Sequence, residues 1–283
     1  MYLSAPDLAG LPSQRFRDAR VKRRRRPRPR RWREEVARAL RKLGTAPRAE
    51  RFALRAAGVL AAVLLFSAAD FAYHVVEKPA EMLLPVSGLL KKTPAMTWRQ
   101  YAPLFRQYST AAIAPELLAA LAQVEGAGNP LALTYWRWQW SWNPFALYGP
   151  ASSAVGMYQM TDATFAQARR YCIRDHLVVE DGCGWNGLYS RILPSDAVEL
   201  AAASLDRGIA AVLPPRRAAR TSPLHKEELA ALLHLCGAGP ARDFARRGFR
   251  LDFGERCGDH DAALYLSQVR ALERQFRRLA AEP

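Results

Sequence analysis

Glu125 is the acidic residue of this chain whose setting best suits acid-base chemistry. It lies in the segment APELLAALAQVEG, where Pro115 and Gly126 predict the first and last turns of a helix. Apolar residues recur there at helical spacing, and Glu125 follows Leu121 by four positions, which predicts its carboxyl group on the buried face. A carboxyl group desolvated in this way holds its proton near neutral pH and could act as a general acid. The alternative is a last-turn carboxylate that reaches sideways to solvent or to an arginine.

A second segment, NPFALYGPASSAVGMYQMTDATFAQARR, predicts the element that would face this acid. It indicates an irregular loop, a tight turn at Gly156, and then a helix capped by Thr161 or Asp162. Asp162 is the nearest candidate for a second carboxylate, but its position is more typical of a helix cap. The sequence therefore offers one persuasive acid.

These two segments together resemble the soluble lytic transglycosylase family, the goose-type-lysozyme-like enzymes of glycoside hydrolase family 23. The family has a helix ending in Glu-Ser, an Asn-Pro loop, a Gly-Leu-Met-Gln turn and a helix beginning near a Thr. Here Glu125, Asn143-Pro144, the run GMYQ at 156–159 and Thr164 follow in the same order.

The similarity continues over about residues 110–275. The segment ALLHLCGAGPARDFARRG is similar to the family's Ala-Tyr-Asn-Ala-Gly-Pro segment, and DAALYLSQVRALERQ is similar to its Tyr-Val helix, which aligns Tyr265 with the active-site tyrosine. Two positions depart from the family pattern. Gly126 replaces the usual Ser after the catalytic Glu, and Cys236-Gly237 replaces Tyr-Asn, which leaves the acid in place but alters its surroundings.

The resemblance implies a mostly α, lysozyme-like helical domain that cleaves peptidoglycan between N-acetylmuramic acid and N-acetylglucosamine. Glu125 would protonate the glycosidic oxygen and then act as base, leaving a 1,6-anhydro end. No cofactor or metal is implied. The expected substrate-binding residues are Gln159, Met157, Tyr158, Tyr265, Trp140, Trp142 and Tyr148.

A row of tryptophans, TYWRWQWSWNPF at 134–145, separates Glu125 from Asn143. In an extended chain, alternate side chains share a face, so its four Trp residues would form one aromatic row. Such a row could face a core, the bilayer interface or a sugar ring. Its place between the acid and the following loop favours a wall that stacks on glycan, with an ordinary packing face as an equal alternative.

The charge is concentrated at one end of the chain. Of the 42 Lys and Arg residues, 18 lie in the first 55 positions together with 5 acidic residues, and the net charge of the whole chain is +16. The apolar stretch that follows predicts one transmembrane helix, with a cleaved signal peptide or a buried soluble helix as alternatives. Positive charge before the span predicts a cytoplasmic N-terminus. The tail is expected to contact anionic lipid, and nucleic acid is not expected as a partner.

The domains predicted from these features are a disordered Arg-rich cytoplasmic tail over 1–51, a transmembrane signal anchor over 52–76, a periplasmic connector over 77–108 and a lysozyme-like domain over 109–283. This order places the protein in a bacterial inner membrane as a single-pass protein with a periplasmic catalytic domain. Peptidoglycan glycan strands and membrane lipids are the expected partners, with cell-wall or secretion machinery as a further class.

All four cysteines lie in the last 112 residues, as expected for an exported domain. Proximity favours pairing Cys172 with Cys183 and Cys236 with Cys257, rather than zinc binding. The histidines, including His234, have no triad partners in the sequence and are interpreted as surface or core residues. Two other functional classes stay open: a non-catalytic peptidoglycan-binding module, and a membrane scaffold acting through its basic tail.

Overall fold

The computed structural model of the chain describes residues 34–38, 47–184 and 186–282, most of which are helical. The chain divides into two units, residues 1–64 and 65–283. The second unit contains all the segments that the sequence predicts to form the site.

Helix α1 covers Arg48–Glu77, and the predicted anchor over 52–76 lies entirely within it. At about 1.5 Å per residue its 30 residues extend for about 45 Å. It is long and apolar enough to span a membrane, and in the first unit its apolar side chains, among them Leu60 and Leu64, are exposed. Of the predicted tail, residues 34–38 are helical and the others before residue 47 lie outside the described residues.

The second unit continues with short and long helices connected by small hairpins. The further helices are α2 Leu84–Ser87, α3 Pro94–Gln107, α4 Pro115–Gly126, α5 Asp162–Ala168, α6 Pro194–Val212, α7 Pro215–Arg220, α8 Pro223–Cys236, α9 Ala238–Arg246 and α10 Ala262–Ala281. Antiparallel pairs are formed by β1 Trp136–Trp138 with β2 Tyr148–Pro150, β3 Cys172–Arg174 with β4 Leu177–Val179, and β5 Arg256–Cys257 with β6 His260–Asp261. Single 3₁₀ turns cover Pro79–Leu83, Gly88–Leu90, Pro144–Ala146 and Asn186–Leu188.

Local sequence explains where the helices of this unit begin. Five of them, α3, α4, α6, α7 and α8, start at a proline, whose fixed φ suits the first helical position and whose missing N–H has no partner there anyway. The side chains of Thr93, Thr161, Ser222 and Asp261 cap α3, α5, α8 and α10 by accepting a backbone N–H. The expected start of α4 at Pro115 and the expected cap at Thr161 are confirmed.

Helix α4 is the centre of the hydrophobic core. All six residues from Leu117 to Ala122 are completely buried, and α4 packs against α3, α6 and α10. A helix that is apolar on every side is stable only when other elements surround it. The candidate acid therefore lies in the last turn of a helix that the core surrounds.

The structure corrects the predicted connector over 77–108. Helix α3 lies within that range, and its side chains Trp98, Tyr101 and Phe105 belong to the same core as α4. Of the prolines that suggested a connector, Pro79 and Pro85 lie in short helical turns and Pro94 begins α3. The folded domain therefore begins before residue 109.

Both expected disulfides are present. Cys172 is bonded to Cys183 across the β3–β4 hairpin, with Cα atoms 5.5 Å apart. Cys236, the last residue of α8, is bonded to Cys257 in β5, with Cα atoms 5.2 Å apart. The second bond ties the end of α8 to the short hairpin that leads into α10.

Candidate active site

The carboxylate of Glu125 is held by side chains from two other helices. The hydroxyl of Tyr265, from α10, donates a hydrogen bond of 2.5 Å to Oε1 of Glu125. Nε2 of His234, from α8, lies 3.6 Å from the same oxygen. The Glu125 side chain is 18% exposed, so water or a ligand can still reach it.

The hydroxyl of Tyr265 is set up as a donor. Burial, followed by the nearby charge of Glu125 and the hydrogen bond to it, raises the pKa of Tyr265 well above its ordinary value. The phenol therefore stays protonated, and its O–H donates the hydrogen bond to Oε1. Since both neighbours contact Oε1, Oε2 is the carboxylate oxygen available to carry a proton to a ligand.

Long-range packing brings these groups together. Helix α10 lies along α4 and also contacts α8, and Tyr265, Leu266 and Val269 are buried at helical spacing on its inner face. The disulfide between Cys236 and Cys257 connects the segment that carries His234 to the hairpin that precedes α10. Two of the segments aligned with the family pattern thus meet at the carboxylate of the third.

Gly126 has a steric reason to be a glycine. A Cβ atom built there would lie 2.8 Å from Cα of Met157 and 2.9 Å from the Met157 carbonyl oxygen. Both are backbone atoms, and real Cβ contacts are not that short. Helix α4 therefore ends directly against the loop that contains Met157, which a Ser at position 126 would push away.

Three expected substrate-binding residues lie in that loop, two of them in the core and one at the edge of a cleft. Met157 and Tyr158 are buried, and the Tyr158 hydroxyl donates to the carbonyl oxygen of Leu118 at 3.1 Å, so both side chains pack in the core and do not face a substrate. Gln159 lies at the edge of a cleft, with a left-handed backbone φ of 43°. Its amide donates to the carbonyl oxygens of Ala132 and Gly156, at 3.1 and 3.0 Å, which leaves the side-chain oxygen to accept from a ligand.

A cleft of about 490 Å³ opens beside the acid, within the size range of small-molecule sites. Its polar lining residues are Gln159, Thr161, Thr164, Gln167, Arg170, Ser204, Arg207 and His234. Glu125 is not among the lining residues. It is connected to the cleft through His234, which both lines the cleft and lies next to the carboxylate.

Asp162 is not placed to act as a second catalytic carboxylate. Its side chain is paired with Arg191 at 2.7 Å and is mostly exposed. Arg191 also donates to the carbonyl oxygens of Ser153 and Met160, at 2.9 and 2.8 Å. This arginine therefore holds the loop before α5 in position, with Asp162 as its counter-ion.

The tryptophan row belongs to an aromatic hairpin, which we define as residues 134–150, and this hairpin lies against α1. Phe145 stacks on Phe66 and Tyr73, with ring centroids 5.7 Å away in each case. The side-chain amide of Asn143 donates to the Tyr73 hydroxyl at 3.1 Å. The row is therefore seated at the C-terminal part of the apolar helix.

The aromatic hairpin places Trp140, Trp142 and Tyr148, which were expected to bind substrate, outside the lining of the cleft beside Glu125. Among the described residues that line the cleft, none belongs to the aromatic hairpin. The predicted extended row is also shorter than expected, because β1 includes only Trp136 and Trp138, while Trp140 and Trp142 lie in the loop that follows.

His234 is the site residue that the sequence analysis did not identify. A signal for it existed, because it lies two residues before Cys236-Gly237, the pair aligned with the family's Tyr-Asn at the active site. Its partner is a carboxylate on another helix, and a search for a triad within the sequence pattern could not reveal that partner.

Comparison of the chain with models of known protein families found no match. Comparison with curated proteins found no match either.

Proposed function

We propose that the protein is a membrane-anchored lytic transglycosylase with a lysozyme-like domain, which cleaves the bond between N-acetylmuramic acid and N-acetylglucosamine in peptidoglycan and forms a 1,6-anhydro end. One observation carries the proposal: the 2.5 Å hydrogen bond from Tyr265 to Glu125, beside a cleft of ligand size. Three segments that resemble the family's active-site segments supply Glu125, its tyrosine donor and the neighbouring histidine.

In the proposed reaction, Oε2 of protonated Glu125 gives its proton to the glycosidic oxygen as the bond to the anomeric carbon breaks. The N-acetyl group of the substrate stabilises the electron-poor carbon, as the family resemblance implies. The Glu125 carboxylate then removes the proton of the 6-hydroxyl, whose oxygen attacks the anomeric carbon. The proton balance closes, since Glu125 ends protonated as it began.

A single acid fits this chemistry better than hydrolysis by two carboxylates. Hydrolases of the usual type place a second carboxyl group about 5–9.5 Å from the first. Asp162 is paired with Arg191, and the polar side chains shown next to the Glu125 carboxylate are those of Tyr265 and His234. Glu125 is therefore the carboxylate to which the proposed mechanism gives both proton transfers.

Anchoring follows from α1 and from the charge before it. A span over 52–76 with 18 basic residues among the first 55 predicts a cytoplasmic N-terminus, so the domain after it would be periplasmic. The two disulfides of the domain support an oxidising compartment. The substrate-facing domain would then be on the same side of the inner membrane as the wall.

The test is digestion of purified peptidoglycan by the full chain in detergent, with mass spectrometry of the products. Glu125→Gln keeps the shape of the side chain and removes the acid, and Glu116→Gln, in the first turn of the same helix, is the matched control. We expect anhydro-muropeptides from the wild type and the control and none from Glu125→Gln. Reducing ends would indicate a hydrolase, and bound but uncleaved peptidoglycan would indicate a binding module. Either result would reject the proposal.

A further inference from the structure

The aromatic hairpin presents large apolar side chains to its surroundings. Trp140 and Trp142 are fully exposed, and Trp138 is 77% exposed. Soluble proteins rarely leave several neighbouring tryptophans in water, and a contiguous exposed apolar patch usually marks a contact surface. We therefore expect these three side chains to contact an apolar partner.

The inner side of the hairpin is bonded to the same helix that is apolar enough to span a membrane. Phe66 and Tyr73 of α1 stack on Phe145, and His74 Nε2 is 3.1 Å from the carbonyl oxygen of Tyr148. These contacts cover about two turns of α1 next to its apolar run. The exposed tryptophans are consequently carried beside a candidate span and not on a distant face of the domain.

The hairpin also covers the polar groups of this part of α1. Asp70 and His74 are each only 7% exposed and lie 3.8 Å apart, and the ring of Trp136 packs edge-on against His74 at 4.8 Å. A Cβ at Gly149 would lie 2.5 Å from the His74 ring, so the glycine allows the hairpin to close over it. Covering polar side chains while exposing tryptophans on the outer side is the arrangement expected of an element next to lipid.

Glu81 and Lys78 extend this covered polar group. Glu81 is completely buried, pairs with Lys78 at 3.0 Å and accepts the Trp136 indole N–H at 3.0 Å. Lys78 donates to the carbonyl oxygens of Ser152 and Ala154 at 3.1 Å each. The base of the hairpin is thereby fixed, and Trp138, Trp140 and Trp142 stay exposed on its outer side.

We propose that the aromatic hairpin inserts Trp138, Trp140 and Trp142 into the headgroup region of the bilayer that α1 crosses. The proposal rests on the anchoring described above and concerns a contact outside the cleft. Tryptophan is enriched at this depth because its ring is apolar and its N–H is polar. Between residues 126 and 161 the only charged side chain is that of Arg137, which suits phosphate groups and carries no repulsion from anionic lipid.

A glycan strand is the competing occupant of this face. The substrate cleft is lined by other residues, and among the described residues none that lines it comes from the hairpin. A sugar-stacking platform would also gain nothing from being fastened to α1. Contact with the bilayer explains both the exposed tryptophans and the packing of the hairpin against α1.

The test uses the full chain reconstituted in vesicles of phosphatidylethanolamine and phosphatidylglycerol, with part of the lipid brominated near the headgroup. Tryptophan emission is compared between the wild type and a variant with Trp138→Phe, Trp140→Phe and Trp142→Phe. Trp98→Phe, in the core, is the matched control. Extraction of the vesicles with alkaline carbonate reports separately whether α1 holds the chain in the membrane.

We expect carbonate to leave the chain in the membrane, and the triple variant to lose about half or more of the bromine-dependent quenching while Trp98→Phe keeps it. The emission lost in the triple variant should be blue-shifted. If quenching is the same in the wild type and the triple variant, the tips are in water and the proposal is overturned. Protection of the three tryptophans from aqueous iodide by chitin oligomers would assign the face to glycan, and extraction of the chain by carbonate would remove the anchoring itself.

Discussion

The substitution Gly126→Ser, which introduces the serine of the family pattern, should destabilise the folded protein. The new Cβ would lie 2.8 Å from Cα of Met157, and no backbone atom there can move without moving the end of α4 or the loop that faces it. Overpacking of this kind costs about 1–3 kcal/mol, and the better helix propensity of Ser over Gly returns only about 0.5 kcal/mol. We expect a net loss of about 1.5 kcal/mol in the free energy of unfolding.

That loss corresponds to a melting temperature lower by about 3–6 °C for a domain of this size. Thermal unfolding of the full chain in detergent, followed by circular dichroism, measures it. The cleavage rate should also fall by more than unfolding alone would cause, because residue 126 is adjacent to Glu125. A small misplacement of a catalytic group can lower the rate by about 100-fold.

Gly208→Ala is the matched control for Gly126→Ser. It also adds a Cβ within a helix of the core, but the nearest atom, at 3.2 Å, is the end of the flexible Leu233 side chain. We expect the free energy of unfolding to change by no more than about 1 kcal/mol. Alanine has a higher helix propensity than glycine, and the Leu233 side chain can adopt another rotamer. Equal melting temperatures for Gly126→Ser and wild type would refute the close approach of α4 to the Met157 loop.

Two further substitutions test the chemistry and the electrostatics of the domain. Tyr265→Phe removes the donor to Glu125 with almost no change in volume, so anhydro-muropeptide production should fall by roughly 10–100-fold while the melting temperature barely changes; unaltered rates would remove Tyr265 from the site. Glu273 is buried, and desolvation followed by repulsion from Glu227 raises its pKa to about 7. Because the folded state binds this proton more tightly than the unfolded state, stability should be highest below about pH 4.5 as far as this group is concerned and should decline as the pH rises through 7. Glu273→Gln should abolish that decline and stabilise the protein at pH 8 by up to about 3 kcal/mol, as measured by denaturant unfolding at a series of pH values.

Features that depend on neighbouring residues were predictable from the sequence. The bounds of α4 follow from Pro115, a run of apolar residues and Gly126, and the structure confirms them. The cysteine pairs were also predictable, because each cysteine is bonded to its nearest cysteine in the sequence, 11 residues apart in one pair and 21 in the other. In these cases the nearest available partner is also the correct one.

Features that depend on distant pairing were not predictable. The tryptophan row looked like a wall of the cleft because it follows Glu125 in the sequence, but its partners Phe66, Tyr73 and Glu81 precede Glu125. His234 lies close to the aligned pair Cys236-Gly237, but nothing next to it in the sequence identifies Glu125 as its partner. Both outcomes were decided by which helices pack together, and a one-dimensional pattern does not contain that information.

The disulfide between Cys236 and Cys257 also affects the time at which a new molecule completes its candidate site. It connects the end of the helix that carries His234 to the hairpin before the helix that carries Tyr265, so one covalent link adds to the packing that positions both neighbours of the acid. Such links form only after a chain has left a reducing compartment. We expect a newly made molecule to reach its destination with a loosely assembled centre, so that oxidation acts as the final maturation step.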